Sequence, residues 1–148
     1  MAFATSYVNG KTLADALTGT ALNLDTNTIK VALFTNAGTA GVKDSVESYA
    51  VAPYNANEVS SAGYNPGGLP LTNPGVTSSS GKLIFDDSAA RVAWTGVTFT
   101  ARGALVYSDT LSPKRAICAI NFGSDQQVTA GTFTITWDAT NGIFYATY

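Results

Sequence analysis

The side chains able to do bond-breaking chemistry are few in this chain, and most are carboxylates. Two glutamates, Glu47 and Glu58, lie among small polar residues, while Asp86-Asp87 and Asp109 sit in "FDDSAA" and "YSDT". Glycoside hydrolysis needs two acids facing one cleft, one with a raised pKa. Glu58 with Asp86 or Asp87 would make such a pair, but a solvated loop glutamate beside turn-forming aspartates is the plainer expectation. The aspartates also lack the D-x-[DN]-x-[DN]-G spacing of a calcium loop. Histidine is absent, which removes Ser-His-Asp and Cys-His arrangements and the commonest zinc ligand. Cys118 is the single cysteine, set among Ala116, Ile117, Ala119 and Ile120. It reads as a buried thiol with no intrachain partner. "GYNPGG" lacks the GK[ST] ending of a phosphate loop, and Asn65-Pro66-Gly67-Gly68 is turn chemistry. No catalytic residue, metal ligand or cofactor site is expected.

Two further groups of residues are suited to binding. The polar knot Gly123-Ser124-Asp125-Gln126-Gln127 stands before "VTAGTFTITW". Without a metal spacing or a histidine beside it, it is expected to be a loop between two strands, with Asp125 and the glutamines satisfying backbone donors. Tyr7, Tyr49, Tyr54, Tyr64 and Tyr148 are suited to a sugar-stacking platform, an interface, or the ends of a core. Their weakly charged setting favours the interface.

The elements that must position these groups are mostly strands. Thr12 with Asp15 matches a capping box, Leu13 and Leu17 share a helical face, and Gly19 supplies a stop, predicting one short N-terminal helix. "TIKVALFT" alternates Ile29, Val31 and Leu33 against Lys30, Ala32 and Phe34, as a strand near the middle of a sheet does. Residues 36–82 hold Pro53, Pro66, Pro70 and Pro74 with many Gly, Ser and Asn. They are expected to form a long projecting connection, ordered by its tyrosines, with one short strand near Leu69–Leu71. Strands follow in "KLIFDD" and in "RVAWTGVTFTARGALVYSD", with a turn at Arg102-Gly103. A bulge near Gly96 would put Val92, Trp94, Val97, Phe99, Leu105 and Tyr107 on one face. "RAICAINFG" is apolar on both faces and so central. "GTFTITWDATNGIFYATY" reads as a hairpin turning at Asn141-Gly142, with Thr132, Thr134 and Thr136 on its solvent side. The sum is a mainly β, single-domain sandwich or barrel of about seven to eight strands with one short helix. Residues 1–27 form an arm and helix, and 28–148 the β-domain.

Composition narrows the function. Only 12% of the 148 residues are charged, the net charge is −2, and Thr, Ser, Asn and Gly fill the surface. A weakly charged surface is covered by neighbours at low desolvation cost, which favours life in an assembly. Five basic residues after position 80 are matched by five acidic ones, so no electrostatic footprint for nucleic acid is present. "MAFATSYVNG" has neither the basic nor the apolar region of a signal peptide, and no stretch approaches the ~20 apolar residues of a membrane span. Synthesis in a cytoplasm is expected, with no membrane partner.

The order "TIKVALFT", "NEVSSAGYNPGGLPL", "AWTGVTFTARGALVYSD" and "AICAINFGSDQQVTAGTFTITWDATNGIF" resembles a group of small virion structural proteins of tailed bacteriophages. The likeness covers nearly the whole chain and is loosest across 36–57. It implies a non-enzymatic virion component made in the host bacterial cytoplasm, foremost a decoration (cement) protein on the capsid surface. Its implied partner is the major capsid protein, with self-association, often as a trimer at three-fold positions. Minor tail or baseplate proteins, and a carbohydrate-binding β-domain on the virion surface, are the rival readings. The residues expected at the interface are Phe3, Tyr7 and Val8 of the arm and Tyr49, Tyr54, Tyr64, Pro66 and Leu69 of the connection.

Overall fold

Alternating apolar residues cannot be satisfied by one layer here, because several strands are apolar on both faces. The computed structural model describes residues 6–18, 22–36 and 48–148. It has eight strands and one helix: β1 (Tyr7–Val8), α1 (Gly10–Leu17), β2 (Ile29–Phe34), β3 (Leu69–Pro70), β4 (Pro74–Ser79), β5 (Lys82–Asp87), β6 (Arg91–Ser108), β7 (Ala116–Thr136) and β8 (Phe144–Thr147). They form two antiparallel sheets, ordered β1-β7-β6-β2-β3 and β4-β5-β8. The mainly β, sandwich-like domain with one short helix is as the sequence predicts.

The dominant element is longer than the sequence foretells. β6 spans 18 residues and β7 spans 21, joined as one hairpin from Arg91↔Thr136 to Tyr107↔Ala116. Arg102-Gly103 is therefore a bulge inside β6 and not a turn. The knot likewise lies within β7. Between the pairs Gly103↔Asn121 and Ala101↔Gln126, β6 passes one residue and β7 passes four, so the knot is a wide bulge. Asn121 Oδ1 accepts from the Gly123 N–H at 2.9 Å, and Gln126 Nε2 donates to the Ser124 carbonyl at 3.2 Å. Asp125 is not a backbone cap: it pairs with Arg102 at 3.5 Å.

These bulges fold the hairpin back on itself. Phe122 and Phe133 are eleven positions apart, which in a straight strand would separate them by roughly 36 Å. Their ring centroids lie 5.9 Å apart. Gly96 at φ 66 and register shifts at Trp94/Val97, Val97/Phe99 and Ala101/Gly103 supply the bend on β6, as the expected bulge near Gly96 required. One core fills the inside of this fold, with Ile29, Val31, Leu33, Val92, Trp94, Val97, Phe99, Val106 and Phe85 buried. A second lies on the other face of the five-stranded sheet and holds Ala32, Phe34, Tyr54, Leu105 and Tyr107. Leu105 and Tyr107 thus leave the face of Val92 and Trp94, because the bulge at Ala101/Gly103 changes the phase a second time. Cys118 is buried, and burial pushes its thiol pKa up to about 12.

Three other expectations are corrected. The helix is capped by Asn9, whose side chain accepts from the Thr12 N–H at 2.9 Å. Thr12 is inside the helix, donating its hydroxyl to the Ala116 carbonyl at 2.6 Å, and Leu17 points out at 80% exposure. Gly19 lies outside the described residues. The C-terminal strand is no hairpin partner of Gly131–Thr136: β8 pairs with β5, in the other sheet. Finally, the connection does not project over its described part, 48–82. It contributes Tyr54, Val59, Tyr64 and Leu71 to the cores, and β4 lies in it as well as β3.

The turn at Asn65–Gly68 is as expected, with the Gly68 N–H donating to the Asn65 carbonyl at 3.0 Å. Gly68 has φ +68, and a Cβ there would sit 1.8 Å from the Val31 carbonyl oxygen. The turn is pressed onto β2 in a way that only glycine allows. Gly68→Ala should cost about 3 kcal/mol, from overpacking and a left-handed backbone together. Gly10→Ala meets nothing within 4 Å and should be neutral or stabilise by about 0.5 kcal/mol. Equilibrium urea unfolding of the two variants checks the contrast.

Candidate functional site

The described face of the second core is closed by residues 48–68, and a carboxylate holds them there. Glu58 is placed beside β2 by its bridge to Phe34, and flanking backbone bonds run from Thr35 N–H to Asn57 O (3.0 Å) and from Val59 N–H to Leu33 O (2.8 Å). Its Oε2 accepts from the Tyr49 hydroxyl at 2.5 Å. Its Oε1 accepts from the Tyr64 hydroxyl and from the Gly67 N–H, both at 2.6 Å. These short bonds are of the charge-assisted kind. Tyr64 in turn accepts from the Leu33 N–H at 2.9 Å. Glu58 is thus no solvated loop residue: one carboxylate ties together a loop tyrosine, a core tyrosine and the Pro66-Gly67 turn.

Aromatic contacts complete the assembly. Tyr49 stacks on Tyr107 with centroids 4.4 Å apart and planes 10° apart, and the Tyr107 hydroxyl donates to the Gly67 carbonyl at 2.8 Å. Lys114 lies over both rings, 5.6 and 5.9 Å from the centroids, and reaches Asp109 at 2.5 Å. Hydrogen bonds from Lys114 and Lys30 hold the Asp109 carboxyl below its usual range. Tyr54 packs edge-on against Phe34 at 5.3 Å and shares a hydroxyl contact with Tyr7 at 2.8 Å.

A cleft of about 300 Å³ opens beside this network, lined among others by Tyr49, Tyr54, Asn55, Glu58, Ser60 and Pro66. A second groove of about 400 Å³ lies between the two ends of β7 and β8, lined by Tyr7, Val8, Ile120, Ile135, Trp137 and Phe144. No family model, curated protein or solved structure matches this chain. The reading of both sites therefore rests on their own chemistry.

The residues expected at an interface divide accordingly. Tyr49 and Pro66 meet at the cleft, and Tyr7 and Val8 line the groove. Tyr54 and Tyr64 are corrected to interior residues, exposed by 1% and 4%, Tyr54 only bordering the cleft. Leu69 is half-buried in β3 and lines neither opening. Phe3 and Glu47 lie outside the described residues. Asp86 and Asp87 do not face Glu58. Asp87 is buried and accepts from Thr72 N–H (2.8 Å), Ala89 N–H (3.2 Å) and Trp137 Nε1–H (3.3 Å), in keeping with the turn role read from the sequence. Among the described residues no group of three or more acidic or cysteine side chains is placed to hold a metal ion, and no helix is long and apolar enough to cross a membrane. Sequence reasoning missed the Glu58 network. The available signal was a glutamate amid tyrosines, since a buried phenol needs a hydrogen-bond partner.

What this geometry does is lock a segment in place. Removing the carboxylate in Glu58→Ala leaves two phenols and a backbone amide without their acceptor, and should cost about 3 kcal/mol. Glu58→Gln keeps one carbonyl acceptor and should cost less. Chemical unfolding of both variants measures the difference, and equal losses would contradict the network.

The tyrosines give a pH test. Burial drives the phenol pKa values of Tyr49, Tyr54, Tyr64 and Tyr107 well above the ordinary value, with Glu58 adding to the effect at Tyr49 and Tyr64, Tyr7 at Tyr54, and Asp109 at Tyr107. The folded protein therefore keeps protons that the unfolded chain loses near pH ~10. Their stabilising contribution is complete below that pH and declines as pH rises above it. Phenolate absorbance should show these four of the seven tyrosines titrating only together with alkaline unfolding.

Proposed function

We propose that this protein is a non-enzymatic structural component of a tailed-phage virion that binds the capsid surface and stabilises the shell by bridging major capsid subunits. The observation that carries this reading is the exposed face of the folded-back hairpin. Thr98, Thr100, Thr132, Thr134 and Thr136 are all exposed there, and the only charge paired with them is Arg91, opposite Thr136 at the end of the ribbon. Such a face is covered by a neighbour while stripping water from few ions. The motif order that resembles virion proteins falls largely on this same hairpin, which supports the reading. Tyr7, Val8, Tyr49 and Pro66, at the two openings, are the remaining contact residues.

Mechanically, the protein acts by burial across subunit boundaries, opposing outward pressure. At ~25 cal/mol per Å², burying ~800 Å² per copy is a large gross term, reduced by association entropy and repeated over the shell. Self-association, in the threefold order that the resemblance implies, would multiply the contacts made by each copy.

Counting copies per virion against the major capsid protein by quantitative mass spectrometry tests the placement. Hundreds of copies are expected, on the order of the shell's subunit number; a handful would move the protein to the tail. Co-sedimentation with shells lacking the protein tests the face. Thr100→Glu with Thr132→Glu should weaken shell binding at least about tenfold at unchanged thermal stability, since two buried charges would then be unpaired.

A further inference from the structure

The outer side of β7 is an open sheet edge. Its neighbours are β6 and β1, and β1 covers it only at Cys118 and Ala119. Among the described residues no strand pairs with the outer side of Gly131–Thr136. Two other edges are blunted in familiar ways: β3 is two residues ending at Pro70, and β4 opens on Pro74. β8 is only four residues long, and the far half of β6, which β2 does not reach, carries Arg91. Gly131–Thr136 carries neither a proline nor a charge, and the nearest charged residue before it on β7 is Asp125.

The phase of the ladder says which groups this edge presents. Trp137 N–H donates to the Ala90 carbonyl at 2.9 Å, and the register continues through Arg91↔Thr136, Val92↔Ile135, Ala93↔Thr134 and Trp94↔Phe133. Antiparallel pairs alternate between bonded and non-bonded. Ile135 and Phe133 therefore bond inward to β6, while Thr132, Thr134 and Thr136 turn their N–H and C=O groups outward.

We propose that this edge is a contact between two copies of this chain, paired antiparallel about a two-fold axis at Thr134. In that register Thr134 faces its own copy, Thr132 faces Thr136, and Phe133 faces Ile135. Every outward-turned backbone group meets an outward-turned partner, giving six hydrogen bonds across the axis. The side chains match as well: threonine pairs lie on the solvent face, and an aromatic–β-branched pair on the other. The half-buried Phe133 and Ile135 gain cover, and Ile135 extends the contact into the groove of Tyr7, Val8 and Phe144. Because the segment is uncharged, self-pairing sets no like charges opposite one another. A partner recognised by charge would find none on the segment itself, only Arg91 across from Thr136 and Asp138 beyond it. The contact forms between free copies, so it stands or falls separately from the virion role. Within a shell it would join threefold groups in pairs.

Sedimentation velocity of the purified full chain over a wide concentration range tests the contact. Wild type should pass from monomer to dimer and stop there. Thr134→Lys, at an exposed position, sets two like charges opposite each other at the axis and should weaken dimerisation at least about tenfold, with circular dichroism and melting unchanged. Thr134→Cys should form a disulfide dimer on mild oxidation, since bonded partners lie about 5.5 Å apart between Cα atoms, within disulfide reach. Thr100→Cys, on the same ribbon away from the edge, should not. A chain that stays monomeric throughout, a dimer indifferent to Thr134→Lys, or open-ended association would each overturn the proposal.

Discussion

Everything in this fold depends on the bending of one hairpin. A strand of 21 residues is about 70 Å long when straight, far longer than a domain of this size can accommodate. The β6–β7 pair meets this constraint by doubling over at its bulges, so that its far half supplies the roof over its near half. Phe122, Phe133 and Phe99 meet at the fold, with centroids 5.2 and 5.9 Å apart. A two-stranded ribbon alone has too little apolar surface to be stable. Folded on itself and closed by Phe85 and Phe144 of the smaller sheet, it becomes the principal core.

The bend leaves a second face to cover. On the near half of the hairpin, Leu105 and Tyr107 turn away from the principal core, together with Ala32 and Phe34 of β2. An apolar face so exposed would be a liability, and among the described residues no spare strand or helix covers it. It uses an irregular segment instead. Irregular backbone over a core needs partners for its polar groups, which is the physical reason for Glu58. One carboxylate accepts three hydrogen bonds and thereby fixes both the ring of Tyr49 over Tyr107 and the turn at Gly67. The resulting cover is ordered by polar chemistry at its rim and by aromatic contact beneath.

How much of this was legible in the sequence follows from the range of the interactions. Patterns confined to a few residues were readable: the two-sided alternation of Ile29–Phe34, the Asn65–Gly68 turn, the bulge at Gly96, the threonine face of Thr132–Thr136 and the buried Cys118. The knot at Gly123–Gln127 was misread because its composition is that of a loop. Its place inside a strand is set by pairing with Thr100 and Ala101, across the whole hairpin. The helix start was misassigned because Thr12 fits a local capping box, whereas its hydroxyl is taken by Ala116, 104 positions away. Glu58 was passed over for the same reason: its neighbours in sequence are polar, and its partners are gathered by the fold.

The low charge of the chain acquires a structural meaning from this arrangement. Charges that are present are mostly spent within the fold: Asp109 with Lys30 and Lys114, Asp15 with Lys11 and Arg115, Asp125 with Arg102. The exposed ribbon that the bend creates is left with threonines, whose branched side chains suit the pleat and whose hydroxyls accept either water or a neighbour. A monomer selected only for solubility would place lysines on so long an edge. Their absence from Gly131–Thr136 is easiest to understand if that edge and its face spend their time covered. The same bend that gives the hairpin its core therefore also gives the protein its most assembly-ready surface.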